Sequence, residues 1–183
     1  MGRASLTAKA TAALCLFGLL VWAPSARAFE RQWHLGGDLG AATFADGETT
    51  AGPLVGVHAA YGLSDMFDLR ADAFASFHTL KGETFGMQTA SVGLAYKFDV
   101  FTWVPYAGLS VGYYHLGRDV RPEPLAEHEL GLSADLGLDY SITREFGLGV
   151  LLRSHGFASD PLEKLRSAPL FTAALRAEYR WGW

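Results

Sequence analysis

Cysteine is almost missing from this sequence: one of its 183 residues is Cys, and that one, Cys15, precedes residue 28. A chain so poor in thiols has no disulfide framework and no thiol chemistry, so an exported domain of this size must find its stability elsewhere. Charge is scarce too, at 19 % against a usual value of about 25 %. Positive charge is in deficit, with Lys+Arg 15 against Asp+Glu 19 and a net charge of −4, which argues against any nucleic-acid partner. Beyond the N-terminus no segment approaches the 18 or so uninterrupted apolar residues of a membrane-spanning helix. Yet half of the residues are hydrophobic and 13 % are aromatic, which excludes a disordered chain. The apolar residues are scattered and interrupted by 21 glycines. That composition leaves two candidates, a soluble β-protein and a membrane β-barrel.

The exception to the scatter lies at the start. Arg3 and Lys9 precede an apolar stretch from Ala12 to Ala23, then Pro24, Ser25 and the small-x-small pattern Ala26-Arg27-Ala28. This is the layout of a secretory signal peptide, with cleavage expected after Ala28. As a helix, the apolar stretch would be about 18 Å long, too short for a hydrocarbon core of about 30 Å. Leu14 stands before Cys15 where a lipoprotein leader needs a small residue, so no lipid anchor is expected. The domain division is therefore a signal peptide, 1–28, and a single domain, 29–183. Losing Arg3, Lys9 and Arg27 makes the mature chain still more acidic.

From residue 29 onward the apolar pattern has a period of two, the signature of strands. Phe171, Ala173, Leu175, Ala177, Tyr179, Trp181 and Trp183 share one face, opposite Thr172, Ala174, Arg176, Glu178 and Arg180. Eight strands are predicted, at 33–44, 53–63, 67–78, 86–98, 103–116, 129–141, 146–157 and 169–182. Tight turns at 64–66, 99–102 and 142–145 alternate with longer connections at 45–52, 79–85, 117–128 and 158–168. The expected fold class is all-β, an eight-stranded antiparallel up-and-down transmembrane β-barrel behind a cleaved signal peptide, with both termini on the short-turn, periplasmic side.

Alternation alone does not say which face is outside. The polar-parity face is mostly Gly, Ala and Ser with a few charges, which suits the narrow lumen of eight strands better than the hydrated exterior of a soluble barrel. Only Lys81, Lys97 and Lys164 remain as lysines after the leader. The other parity carries essentially no ionised residue within the strands, as lipid contact requires. Its aromatics gather toward the short-turn end: Trp33, Tyr61, Phe67, Phe98, Tyr140, Phe146, Tyr179, Trp181 and Trp183. They have the placement of an interfacial girdle.

These features resemble the small outer-membrane barrels of Gram-negative bacteria, of OmpA-, OmpX- and OmpW-like type. The run Trp103-Val104-Pro105-Tyr106-Ala107-Gly108-Leu109-Ser110-Val111-Gly112-Tyr113 is similar to the fifth strand of such proteins. Tyr179-x-Trp181-x-Trp183 resembles the aromatic C-terminal signal read by the barrel-assembly machinery, with Trp where Phe is usual. The resemblance implies an outer-membrane monomer in contact with lipid and lipopolysaccharide. It specifies architecture much more than activity.

Candidate chemistry is sparse. Asp38, Asp68, Arg70, Asp72, Lys97, Asp135, Asp139, Arg153, Arg176, Glu178 and Arg180 share the lumen parity. Carboxylate clusters invite general acid–base chemistry, but the signs are mixed and buried charges must be paired. A structural ion-pair network plugging the lumen is the expected outcome, with Arg176 on the last strand reaching Asp38 on the first. The histidines at 34, 58, 78, 115, 128 and 155 show no metal-ligand spacing, so no metal is assigned, and no cofactor motif is present. His155, Ser159 and Asp160 offer a Ser–His–acid reading related to lipid A modification. The lipid A deacylase family, however, has a serine two residues after its histidine and then an asparagine, where this chain has Phe157 and Ala158. A non-catalytic envelope or surface role is expected, the alternatives being an OmpW-like conduit for small apolar solutes and a lipid A acyl hydrolase or transferase. In the longer loops Arg118, Arg121, Lys164 and Arg166 are candidate contacts for lipopolysaccharide phosphates, against the alternative of ordinary solvated loops.

Overall fold

The computed structural model describes residues 31–45, 51–80, 83–98, 102–118, 125–158 and 169–182. The expected signal peptide with Cys15, and Arg121, Ser159, Asp160, Lys164, Arg166 and Trp183, lie outside them, as do the side chain of Arg118 and its surroundings. Eight strands, β1 (Trp33–Phe44), β2 (Gly52–Gly62), β3 (Phe67–Leu80), β4 (Glu83–Lys97), β5 (Trp103–Arg118), β6 (Leu125–Ser141), β7 (Phe146–Phe157) and β8 (Leu170–Trp181), follow one another around a closed barrel. Every neighbouring pair is antiparallel, and β1 closes on β8 from Trp33↔Trp181 to Phe44↔Leu170. Closure leaves no sheet edge with unpaired backbone groups, which is what a hydrocarbon environment demands of a β-protein.

Connections of only four or five residues join β2 to β3, β4 to β5 and β6 to β7. In two of them a hydroxyl substitutes for missing backbone partners. Ser64 Oγ accepts from the amides of Met66 and Phe67 at 3.3 and 3.1 Å, and Thr143 Oγ1 accepts from those of Glu145 and Phe146 at 3.2 and 3.0 Å. This is the local chemistry that makes Ser and Thr turn formers.

The opposite end differs from the sequence expectation. The 79–85 connection is no long loop: Leu80 pairs with Glu83, leaving two residues between the strands. β5 and β6 likewise stay paired out to Arg118↔Leu125, six residues short of closing on each other. Arg118 therefore ends a strand rather than sitting in a loop. Ladder hydrogen bonds run through polar residues as readily as apolar ones, so the loss of apolar alternation near 118–128 does not end pairing. As a result β3 to β6 are 14 to 17 residues long, against 11 or 12 for the other four strands. One side of the barrel rises above the other.

The exterior is apolar from strand to strand. Leu39, Leu109 and Leu175 are 66, 71 and 67 % exposed, far from the burial such side chains have in a water-soluble core. The inward face holds the ionised residues and a separate set of aromatic side chains. Two of those rings fit because glycine faces them. A Cβ at Gly137 would lie 2.0 Å from Tyr106 Cζ, and one at Gly56 would lie 2.3 Å from Phe74 Cδ1. In each case the glycine is the ring's direct cross-strand partner. The missing side chain lets the ring lie flat across the lumen wall.

Candidate functional site

The inward residues divide the lumen by height. Toward the short-turn end and at mid-height, the eleven charged residues of the expected lumen set, Asp68 and Lys97 among them, are brought together. Arg153, from β7, donates through Nε to Asp135 Oδ1 at 2.6 Å and through Nη2 to Asp135 Oδ2 at 2.8 Å. The same Nη2 reaches across to Asp72 Oδ2 on β3 at 2.9 Å. Arg176 donates to Asp38 Oδ1 at 3.1 Å and lies 3.6 Å from Asp72 Oδ1, so Asp72 links the two arginines. Asp38 and Arg176 face each other directly in the β1–β8 register.

Nearer the short turns, Lys97 holds Asp68 at 2.7 Å, and Arg70 lies 3.7 Å from Asp68 and 3.8 Å from Asp139. Arg180 contacts Glu178 at 2.5 Å and donates to Ser141 Oγ at 2.8 Å. Tyr106 stands between two cations, its hydroxyl accepting from Arg176 at 2.6 Å and its ring 3.8 Å beneath the Arg70 guanidinium. Such a face is where a cation is attracted to an aromatic ring.

Histidines complete this network, which the sequence did not suggest. His58 Nδ1 donates to Asp38 Oδ2 at 2.7 Å, its Nε2 is 3.6 Å from Glu178, and His34 Nδ1 is 3.5 Å from the same carboxylate. Among the described strand residues the buried inward carboxylates are Asp38, Asp68, Asp72, Asp135, Asp139 and Glu178. The buried inward cations are Arg70, Lys97, Arg153, Arg176 and Arg180. The carboxylates are one more than the fixed cations, and the two imidazoles stand at that excess.

Above Arg153 the lumen changes character. Its guanidinium is 5.1 Å from the Phe74 ring, and beyond Phe74 the inward residues include Phe44, Phe85, Met87, Tyr114, Leu116 and Leu170, with Phe157 packed against them. Phe44 meets His78 at 5.3 Å, Phe85 at 6.1 Å and Phe157 at 6.4 Å between ring centroids. The sequence reading expected small residues here and missed this aromatic packing. The signal was present in the inward parity of Phe74, Phe85 and Tyr114.

His155, the centre of the Ser–His–acid reading, belongs to this upper half. It is 3 % exposed, with Nδ1 2.8 Å from the Tyr114 hydroxyl and Nε2 3.1 Å from Thr172 Oγ1. Both ring nitrogens are engaged inside the barrel. No group of three or more His, Cys, Asp or Glu side chains arranged for a metal ion occurs among the described residues.

On the exterior the expected girdle residues form ring pairs at the short-turn end. Trp33 meets Tyr61 at 4.7 Å, Phe67 meets Tyr96 at 5.2 Å, Trp103 meets Tyr140 at 4.6 Å, and Phe146 meets Tyr179 at 5.1 Å, with Trp181 5.9 Å further along. Tyr96 and Trp103 were not assigned to the girdle from the sequence.

Similar solved structures share this architecture. Neisserial surface protein A aligns with a TM-score of 0.64 at 15 % identity, covering 83 % of this chain and 96 % of its own. Ail, the attachment invasion locus protein of Yersinia pestis, aligns at 0.61 and 11 %, covering 83 and 99 %. The N-terminal β-barrel domain of Pseudomonas aeruginosa OprF aligns at 0.57 and 14 %, covering 83 and 98 %. At such identities the likeness is one of fold. No curated protein matches in sequence. A family model does, over residues 12–164, and it describes the outer membrane protein beta-barrel domain. The closed barrel with its apolar exterior agrees with that match, and the chain belongs to the outer membrane protein β-barrel domain family.

Proposed function

We propose that this protein is a non-catalytic, monomeric barrel of the Gram-negative outer membrane, closed to ion flow and serving the envelope or its surface. The observation that carries the reading is the ionic chain across mid-lumen, Asp38–Arg176–Asp72–Arg153–Asp135. It spans residues from β1, β8, β3, β7 and β6, so it ties opposite walls together. An ion passing through would have to separate pairs held in a dry interior, at a cost of several kcal/mol per ion exposed. The aromatic packing above supports the same closure, since an apolar constriction resists wetting.

In this reading the termini face the periplasm, the Tyr179–Trp183 end is read by the barrel-assembly machinery, and the taller β3–β6 side stands at the cell surface. Arg118, Arg121, Lys164 and Arg166 are then placed by sequence at the lipopolysaccharide side, where guanidinium and ammonium groups suit phosphate. The burial of His155 and its engagement by Tyr114 and Thr172 favour a packing role over acyl transfer.

Planar-bilayer recording tests the proposal. The purified protein should give no long-lived conductance, whereas the Arg153→Ala and Arg176→Ala variants should give openings by unlinking the walls. Steady conductance of the parent protein would overturn closure and favour the narrow-conduit alternative. Transport of small apolar solutes into proteoliposomes would do the same.

A further inference from the structure

Four of the six histidines, His34, His58, His78 and His155, are buried within the lumen. The other two face outward at one point. His115 on β5 and His128 on β6 are direct cross-strand partners, on the parity of the exposed Tyr113 and Leu130. Their rings stack at 4.6 Å between centroids, with the two Nδ1 atoms 3.3 Å apart. The Tyr113 hydroxyl contacts the same His128 nitrogen, and Gln88 is the register partner of His115 on β4.

That separation is informative. As a hydrogen bond it is long, beyond the usual range of about 2.7–3.2 Å, and it is also the separation of two ligands on one ion. A tetrahedral ion holding two imidazoles at about 2.0–2.1 Å sets its ligand nitrogens about 3.3 Å apart, whereas a square-planar ion would need about 2.8 Å. The pair is also held firmly, because the β5–β6 ladder continues above it through Gly117↔Ala126 to Arg118↔Leu125.

Its height is defined as well. From Trp103 to Tyr113, outward-facing β5 residues cover about 33 Å of strand, or about 25 Å along the barrel axis at a tilt of about 40°, which is the height of a lipid-facing apolar band. On β6 the apolar band from Tyr140 to Leu130 has the same span in residues. His115 and His128 are the next outward residues on each strand, at the level where hydrocarbon gives way to headgroups.

We infer that His115 and His128 form a binding site for a tetrahedral divalent cation of the zinc class at the outer rim of the barrel. Two imidazoles supply borderline-soft ligands, and the remaining coordination positions open outward to water. Among the described residues no third ligand of the His, Cys or carboxylate type joins the pair, so the affinity expected of the two imidazoles is that of a surface chelate rather than a structural zinc centre.

Isothermal titration of the folded full mature chain in detergent micelles with zinc chloride, in buffer free of phosphate and chelator, tests this. One saturable site per chain is expected. Either His115→Ala or His128→Ala should weaken it by more than about tenfold, and the double variant should remove it. Both positions face outward, so heat-modifiable gel mobility should show the variants folded as barrels. Magnesium in excess should leave zinc binding unchanged, because hard cations avoid imidazole. A parent titration no stronger than that of the folded double variant would overturn the inference, and so would displacement of zinc by magnesium.

Discussion

Arg153 and Phe44 are both buried inside the same barrel, yet they are held in different ways. Arg153 makes directed hydrogen bonds to Asp135 and Asp72. Phe44 meets Phe85, Phe157 and His78 at ring distances between 5.3 and 6.4 Å, with no directed bond. The lower lumen is a network in which each charge depends on its partners. The upper lumen is a packing in which each ring depends on volume. A network of buried charges fails as a unit, because removing one member leaves another ionised without a partner. A packed apolar cluster loses stability in proportion to the atoms removed.

The sharpest way to break this contrast is Arg153→Ala set against Phe44→Leu. The first leaves Asp135 and Asp72 without their shared cation, and breaking such a buried pair costs about 3–5 kcal/mol. The second removes part of a buried ring but strands no charge, and should cost less, about 1–2 kcal/mol. Urea unfolding in lipid vesicles measures both. Equal losses would mean that the two halves are held in the same way. Replacing Arg153, Asp135 and Asp72 together by apolar residues of similar volume should recover part of the stability, since Arg176 loses Asp72 but keeps Asp38.

A second test moves from the lumen to the wall. Leu136 is 63 % exposed on the exterior, while the adjacent Asp135 is 5 % exposed inside. Leu136→Arg should cost about 2–4 kcal/mol near the bilayer midplane, and the same arginine moved toward the strand end should cost less. A Leu136→Arg variant as stable as the parent in vesicles would place that face away from lipid.

The sequence carried this division unevenly. Period-two alternation made the exterior legible residue by residue, because lipid excludes charge from every outward position of every strand. The charged half was legible as a set of same-parity residues, and even the Asp38–Arg176 juxtaposition followed from closure of first strand on last. What parity does not give is which residues meet across the open interior. Asp72 joins Arg153 to Arg176 through space, with no ladder between them. Nor does it give the role of glycine as a seat for a ring, so Gly137 beneath Tyr106 read only as a small residue. His115 and His128 are thirteen positions apart, a spacing without meaning until the register of β5 on β6 is known.

The finest comparison uses one chemical change in both halves. Tyr106 and Tyr114 are 1 and 0 % exposed, both project inward from β5, and both lie against glycine, Gly137 for one and Gly112 and Gly131 for the other. Replacing either by Phe keeps the ring and deletes a single hydroxyl. At Tyr106 that hydroxyl accepts from the Arg176 guanidinium at 2.6 Å. A hydrogen bond to a charged group is worth about 1.5–3 kcal/mol, and Tyr106→Phe should cost that much. At Tyr114 the partner is His155, whose other nitrogen remains engaged with Thr172. A bond between uncharged groups is worth about 0.5–1.5 kcal/mol, so Tyr114→Phe should be the milder variant by about 1 kcal/mol. The difference between the two unfolding free energies, measured in the same vesicles, isolates what ionic surroundings add to one hydroxyl. If Tyr114→Phe proved the costlier, His155 would be ionised, and the upper lumen would hold a charge of its own above the network.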